Sequence, residues 1–275
     1  MTIQDKEKLI ARIHELKEER NAVILTHNYQ VDFMAQSAAI LSPQKTVLIP
    51  EILSECPMAA MITPEELIIK KKEYPDAVVV AYVNTSAQVK AHSDICCTSA
   101  NAVQVVNSLD ENEVIFVPDR NLALYTARYT DKKIIPWDGY CSTHHMILPE
   151  DIMLSKNTYP DAETIVHPEC RPEVIDLADN VFSTGGMVTH IKKSNSRKFI
   201  IGTEIGMLHK LKKENPDKEF YPASSCAVCP SMKMNSLSNI ITALEENKYV
   251  VTVPESIRKQ AKKALERMLE SGRGD

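Results

Sequence analysis

Long apolar runs are what this sequence has least of. The longest, Ala77–Val83, falls far short of the ~20 residues that a membrane-spanning helix needs, so no membrane span is expected. Met1–Arg20 carries Lys6, Lys8, Arg12, Glu15, Lys17, Glu18, Glu19 and Arg20 without a continuous apolar stretch or a cleavage site. That argues against a secretory leader and for the cytoplasm. Cysteine is too sparse for a secreted disulfide scaffold, at seven in 275 residues. In a reducing compartment such thiols mean packing, nucleophilic chemistry or metal ligation. Positive charge is not in excess either: 32 Lys+Arg against 37 Asp+Glu leave a net charge of −5. With no basic stretch interleaved with aromatics, nucleic acid is excluded as a partner and small molecules are favoured. Apolar residues make up 44% of the chain, enough for a large core.

What the chain does have is internal repetition. Tyr74-Pro75-Asp76-Ala77 recurs as Tyr159-Pro160-Asp161-Ala162, a shift of 85, and each copy leads into a β-branched run, Val78–Val83 and Thr164–Val166. Such runs suit buried parallel strands. A second landmark, an apolar strand closing on proline and followed by cysteine, occurs three times: at Pro50 then Cys56, Pro136 then Cys141, and Pro222 then Cys226 and Cys229. The prolines are 86 apart in both intervals. Three homologous units follow, 1–73, 74–158 and 159–253, with a charged amphipathic helix over 254–272 that can pack back on the first.

The first unit has a defect. Its opening strand, Ala22–Leu25, ends in His27 and Tyr29, which fall on Tyr82/Asn84 and His167/Glu169 of the other units. From this polar position to the closing proline the second and third units span 54 and 55 residues, the first only 23. About thirty residues, enough for a helix and a strand, are therefore absent after Gln30.

Within units two and three the order reads strand, helix, strand, helix, strand, with Val114–Val117 and Lys198–Ile201 as middle strands and helices over Ala100–Leu109, Leu122–Tyr129 and Ile205–Leu211. Alternation of this kind implies an α/β fold: three pseudo-symmetric three-layer αβα sandwiches with parallel sheets around a central site. Ligands gather at the carboxyl ends of such strands, where the chain places His27, Tyr29, Tyr82, Asn84, His167, Glu169, Asp119 and Glu204.

The repeat also sorts the cysteines. Cys56, Cys141 and Cys229 arise in all three units and could bring three thiolates to one point, suiting zinc or an iron–sulfur cluster. Three ligands on a [4Fe–4S] cluster would leave one iron open for substrate. Spacing alone leaves open whether Cys226, in a C-x-x-C pair with Cys229, is a fourth ligand. Cys96, Cys97 and Cys170 lack repeat partners and read as packing residues, and His144-His145 reads as surface. Ser183-Thr184-Gly185-Gly186 and Thr98-Ser99-Ala100-Asn101 offer hydroxyls and N–H groups at helix starts, for an anion or simply for capping.

Thr26-His27-Asn28-Tyr29-Gln30, Cys56-Pro57-Met58-Ala59, Tyr82-Val83-Asn84-Thr85, Thr98-Ser99-Ala100-Asn101, His167-Pro168-Glu169-Cys170, Ser183-Thr184-Gly185 and Cys229-Pro230-Ser231-Met232-Lys233 together resemble the quinolinate synthase family of NAD biosynthesis, over essentially the whole chain. The resemblance implies condensation of iminoaspartate with dihydroxyacetone phosphate to quinolinate, with release of phosphate and two waters. It implies one [4Fe–4S] cluster per chain on Cys56, Cys141 and Cys229, with Cys226 outside the ligand set and the open iron acting as Lewis acid. By the same likeness His27 and Tyr29 carry out acid–base work, Tyr82 and Asn84 position substrate, and His167 with Glu169 bind carboxylate and move a proton. Ser99, Ser183 and Thr184 would hold phosphate or carboxylate. A separate aspartate-oxidising enzyme is implied as supplier of iminoaspartate, with a transient handover between the two. The family also carries a helix with a Gly-Asp-Ser motif and a further strand after the His-Asn-Tyr-Gln motif, which this sequence lacks where the repeat shows its gap. Either a segment is omitted from this sequence or the protein lacks a third of its first domain; omission is favoured, because losing a central strand and its helix would expose core that a small sandwich can hardly spare. Two other readings of the same residues are a zinc scaffold closed by Cys56, Cys141, Cys226 and Cys229, and a lyase acting on a different hydroxy acid.

Overall fold

The computed structural model describes residues 3–24, 32–272 and 274. Two four-stranded parallel sheets organise it. The first contains β1 (Val78–Tyr82), β2 (Ile95–Cys97), β3 (Glu113–Val117) and β4 (Lys133–Pro136) in the order β2-β1-β3-β4. The second contains β5 (Glu163–Val166), β6 (Asn180–Val181), β7 (Lys198–Gly202) and β8 (Glu219–Pro222) in the order β6-β5-β7-β8. The register repeats too: Val78 pairs with Val114 in the first sheet and Glu163 with Phe199 in the second.

The strands are β-branched and apolar because both faces are covered. Val78, Val80, Tyr82, Val114 and Phe116 face one core with Val105, Leu122 and Leu265; Val79, Ala81, Ile115 and Val117 face another with Leu67 and Val89. Ile165, Phe199 and Ile201 pack with Met187 and Leu211, while Val166 and Ile200 pack with Ile152 and Val174. Each sheet is therefore the middle layer of an αβα sandwich. Side-chain hydrogen bonds repeat as well. Asp94 accepts from the Val79 amide at 2.8 Å, and Asp179 from the Thr164 amide at 2.7 Å.

Several expectations need correction. Each sheet has a fourth, edge strand, β2 or β6, that the three-strand reading lacks; Cys96 and Cys97 lie in β2, fully buried. The helix expected over Ala100–Leu109 is limited to Ala102–Asn107, and that over Ile205–Leu211 is shifted to Met207–Glu214. In residues 3–73 the described chain contains the helices Ile3–Glu19, Asp32–Leu41 and Pro64–Glu73 but no strand. The segment expected as a closing strand at Pro50 makes one antiparallel bridge, Leu48 to Val250. A strand with no neighbour cannot satisfy its amides. Pro64–Glu73 is closed at its start by a reciprocal capping box, the Glu66 amide donating to Thr63 Oγ1 and the Thr63 amide to Glu66 Oε2. The helix Glu255–Glu270 lies on helix Ala87–Ala91, β2 and helix Asp32–Leu41, burying Ala261, Ala264 and Leu265. No helix among the described residues is long and apolar enough to cross a membrane.

Candidate active site

The carboxyl ends of the strands open onto one pocket. Its wall includes Tyr82 at the end of β1 and Asn84 just beyond it, Glu169 after β5, Glu204 after β7, Cys141 after β4 and Cys229 after β8, with Cys56, Met58, His144 and Met232. The three repeat-related cysteines thus reach one pocket. Cys56 is buried, Cys141 and Cys229 are partly buried, and all are free thiols. Cys226 is exposed and is not part of this wall.

Cys56 is fixed by a tight turn, with the Ala59 and Ala60 amides donating to its carbonyl. The turn docks on the second unit, where Trp137 Nε1 donates to the Met61 carbonyl at 2.8 Å. Cys141 and Cys229 are held differently. The Cys141 amide donates to Asp119 at 2.9 Å and the Cys229 amide to Glu204 at 3.4 Å. Burial pushes the Cys56 thiol up to about 11, against the Ala59 and Met58 amides, and pushes Cys141 well above its usual range, with the Glu169 charge adding to it.

Glu169 is the centre of a buried polar group. Its Oε2 is 3.0 Å from His144 Nδ1 and 3.9 Å from His167 Nδ1. The two imidazoles stack, centroids 4.3 Å apart. His144 Nδ1 is also 3.1 Å from Cys141 Sγ, and its Nε2 is 2.8 Å from Thr203 Oγ1. Burial works against ionisation of Glu169, but His167, then His144 and Tyr82, outweigh it and hold the carboxyl at about 2. Burial first, and then the Glu169 charge, raises the Tyr82 phenol well above its usual range, while the Ser99 hydroxyl pulls it down. The result is a carboxylate beside a neutral phenol. Glu169 Oε1 is buried without a hydrogen bond to the described residues, so it is available to a bound group.

The expected residues fall into three groups. Tyr82, Asn84, Glu169 and the three cysteines share the pocket wall, with His167 directly behind. Ser99 contacts it through Tyr82. Ser183 caps the helix Thr184–Lys193, accepting from the Gly186 amide at 3.1 Å, and neither it nor Thr184 is on this wall. His27 and Tyr29 lie outside the described residues. His144, expected on the surface, is instead 2% exposed and in the site. The physical reason is helical: Cys141 opens the turn Ser142–His145, so the residue three positions on returns to the sulfur's side. The C-x-x-H spacing was the available signal.

The donor set fits a sulfur-ligated metal group. Ionising three thiols beside Glu169 accumulates negative charge that a cation relieves, and among the described residues Cys141, His144 and Glu169 offer ligand atoms within 4.8 Å of one another. The fold and site therefore define an α/β enzyme with a thiol-rich pocket at its strand ends.

Comparison with known proteins makes this particular. Residues 30–270 match the family model described as quinolinate synthetase A protein. The chain is 53% identical over 294 residues to quinolinate synthase 1 of Methanosarcina acetivorans, covering 95% of this chain and 97% of that protein. It is 49% identical over 296 residues to the quinolinate synthase of Thermodesulfovibrio yellowstonii, covering 95% and 98%. The chain belongs to the quinolinate synthetase A family. Since 95% of 275 residues is about 261, a 294-position alignment leaves about 33 positions with no residue of this chain, close in number to the deficit after Gln30.

Proposed function

We propose that this chain forms quinolinate from iminoaspartate and dihydroxyacetone phosphate, releasing phosphate and two waters, in the biosynthesis of NAD. The observation that carries the proposal is the meeting of Cys56, Cys141 and Cys229, one per repeat, on a pocket that also holds Glu169 and Tyr82. Membership of the family supports the activity. In this reading the three units are pseudo-symmetric αβα lobes around the pocket, the first completed by the segment missing after Gln30.

Cys56, Cys141 and Cys229 would hold a [4Fe–4S] cluster, one per chain. When bound, it supplies a Lewis-acidic iron that no cysteine ligates, suited to dehydrating a hydroxy acid. The protein's own groups do the rest. Glu169, kept ionised by its histidines, takes a proton from the condensing skeleton through Oε1. His144 and His167 orient that carboxylate and stabilise its charge. Tyr82, kept neutral, donates a hydrogen bond to developing negative charge, and Asn84 beside it orients substrate. Ser99, and Ser183 with Thr184 at a helix start, attract the anionic phosphate and carboxylates. His27 and Tyr29 are assigned acid–base work on the triose portion. Cytoplasmic location and a passing contact with an aspartate-oxidising enzyme belong to the same reading.

The zinc scaffold needs Cys226 as a ligand, and that thiol is exposed and off the wall. The test is anaerobic purification and reconstitution followed by assay with the two substrates. Iron and sulfide near four each per chain, the content of one [4Fe–4S] cluster, with quinolinate formed, is the expected result. A colourless, iron-free protein after reconstitution, or a loaded protein making no quinolinate, overturns it.

A further inference from the structure

Two buried carboxylates outside the proton-transfer group occupy equivalent places in the repeat. Asp119 follows β3 and Glu204 follows β7, and they are 0% and 1% exposed. Each divides its oxygens in the same way. Asp119 Oδ1 accepts the Leu122 amide, at the start of the next helix, at 2.8 Å, and Oδ2 accepts the Cys141 amide at 2.9 Å. Glu204 Oε2 accepts the Gly206 amide, ahead of the next helix, at 2.7 Å, and Oε1 accepts the Cys229 amide at 3.4 Å. Lys233, four residues beyond Cys229, pairs with the same Oε1 at 2.8 Å.

An amide-accepting side chain elsewhere in the sheets serves the fold alone. Asp94 and Asp179 are a matching pair that tie the opposite, amino-terminal ends of β1 and β5 to the loops before β2 and β6. Asp119 and Glu204 differ in what they hold, because the amide they grip belongs to a metal-binding cysteine. A ligand whose backbone is fixed keeps its sulfur in place while the metal group is absent, and so lowers the reorganisation needed for loading.

We infer that Asp119 and Glu204 are positioning residues that clamp the Cys141 and Cys229 loops to their own sheets and thereby set how firmly the iron–sulfur group is retained. The inference rests on the proposed ligand set. The side chains need both oxygens as acceptors, so an amide replacement leaves an NH₂ facing a backbone N–H. In the first unit, Asp32 opens the helix Asp32–Leu41 and precedes Cys56 as Asp119 precedes Cys141, a correspondence of sequence position.

The test compares Asp119→Asn and Glu204→Gln with Asp94→Asn as a control for general loss of stability. In the metal-free proteins, amide hydrogen exchange at Cys141 is expected to accelerate in Asp119→Asn, and at Cys229 in Glu204→Gln, with neither changed in Asp94→Asn. After anaerobic reconstitution, both clamp variants are expected to lose iron to a chelator ~10–100-fold faster than the parent, the range for outer-shell partners of metal ligands. Asp119→Glu, which the second unit borrows from the third, should restore slow loss. Unchanged exchange at both amides, or iron loss that follows thermal stability equally in all three variants, overturns the clamp. A parent protein that binds no iron overturns the ligand set instead, and the exchange measurement still decides whether the carboxylates hold the loops. If a clamp variant does not fold, the milder Glu204→Asp, which shortens the reach to the Cys229 amide, gives the same readings.

Discussion

Residues 74–158 and 159–253 build one sheet each, in the same order and register, whereas the described part of residues 3–73 builds none. All three stretches nevertheless deliver a cysteine to the same pocket. The difference lies in who holds the sulfur. Cys141 and Cys229 hang from carboxylates that follow strands of their own sheets. Cys56 sits in a turn pinned to Trp137 of the neighbouring unit, and the chain before it is secured by the Ile49 amide to the Tyr249 carbonyl and by Asn239 to Glu51. A sulfur can thus be brought to the pocket by a neighbour when its own stretch forms no sheet among the described residues.

If the first unit were only a remnant, Cys56 could be lost without harm. We expect the contrary: Cys56→Ala and Cys141→Ala should each abolish quinolinate formation and iron binding, while Cys226→Ala leaves both within twofold, measured by iron content and product assay. The third unit carries a carboxylate, Glu169, where the second carries Asn84. Glu169→Gln should lower kcat by ~10²–10⁴-fold with iron content retained, as for loss of a general base, and Asn84→Ala should act mainly on KM. Equal effects on kcat would erase that distinction.

Leu67 and Ile152 are fully buried at equivalent places in the helices Pro64–Glu73 and Pro149–Thr158. Each truncation to alanine should cost about 2–5 kcal/mol by denaturant unfolding. Separate transitions in the two variants would show that the units unfold independently. Trp137→Phe removes the hydrogen bond to Met61 together with part of the ring packed on the core, and the hydrogen bond alone should cost about 0.5–1.5 kcal/mol. It should speed alkylation of Cys56 in the metal-free protein more than that of Cys141.

The smallest effect concerns acid stability. Glu163 accepts from His190, Ser194 and Asn180. Burial opposes its ionisation, but His190, Ser194 and Ser196 prevail and its pKa is lowered. Val78 stands at the equivalent place in the second unit. Since the unfolded chain then binds the proton more readily, this stabilisation is present above the ordinary glutamate range and is lost as pH falls through the depressed value. Glu163→Gln should flatten the acid limb of thermal stability.

Sequence alone resolved what was repeated and missed what was not. The two closing strands that formed, at Pro136 and Pro222, were legible because they recur at a fixed offset, and the three cysteines because each follows such a proline by five to seven residues. The edge strands β2 and β6 are three and two residues long, too short for alternation to register. His144 escaped because it has no counterpart in another unit, so a search by recurrence treated it as surface. The strand expected at Pro50 was correctly patterned, but pattern does not supply the neighbours that a strand must pair with. Ser183 and Thr184 were legible at a helix start, where Ser183 accepts the Gly186 amide.

The helix Glu255–Glu270 covers one face of the first sheet although it is made last. During synthesis, at roughly 5–20 residues per second, the ribosome must add the whole second sheet before that covering exists. Ile95, Cys97 and their neighbours at the β2 edge therefore wait some seconds with part of one side open. Chaperone dependence of the nascent chain should accordingly concentrate on the sheet that is translated first, and end when the final helix emerges.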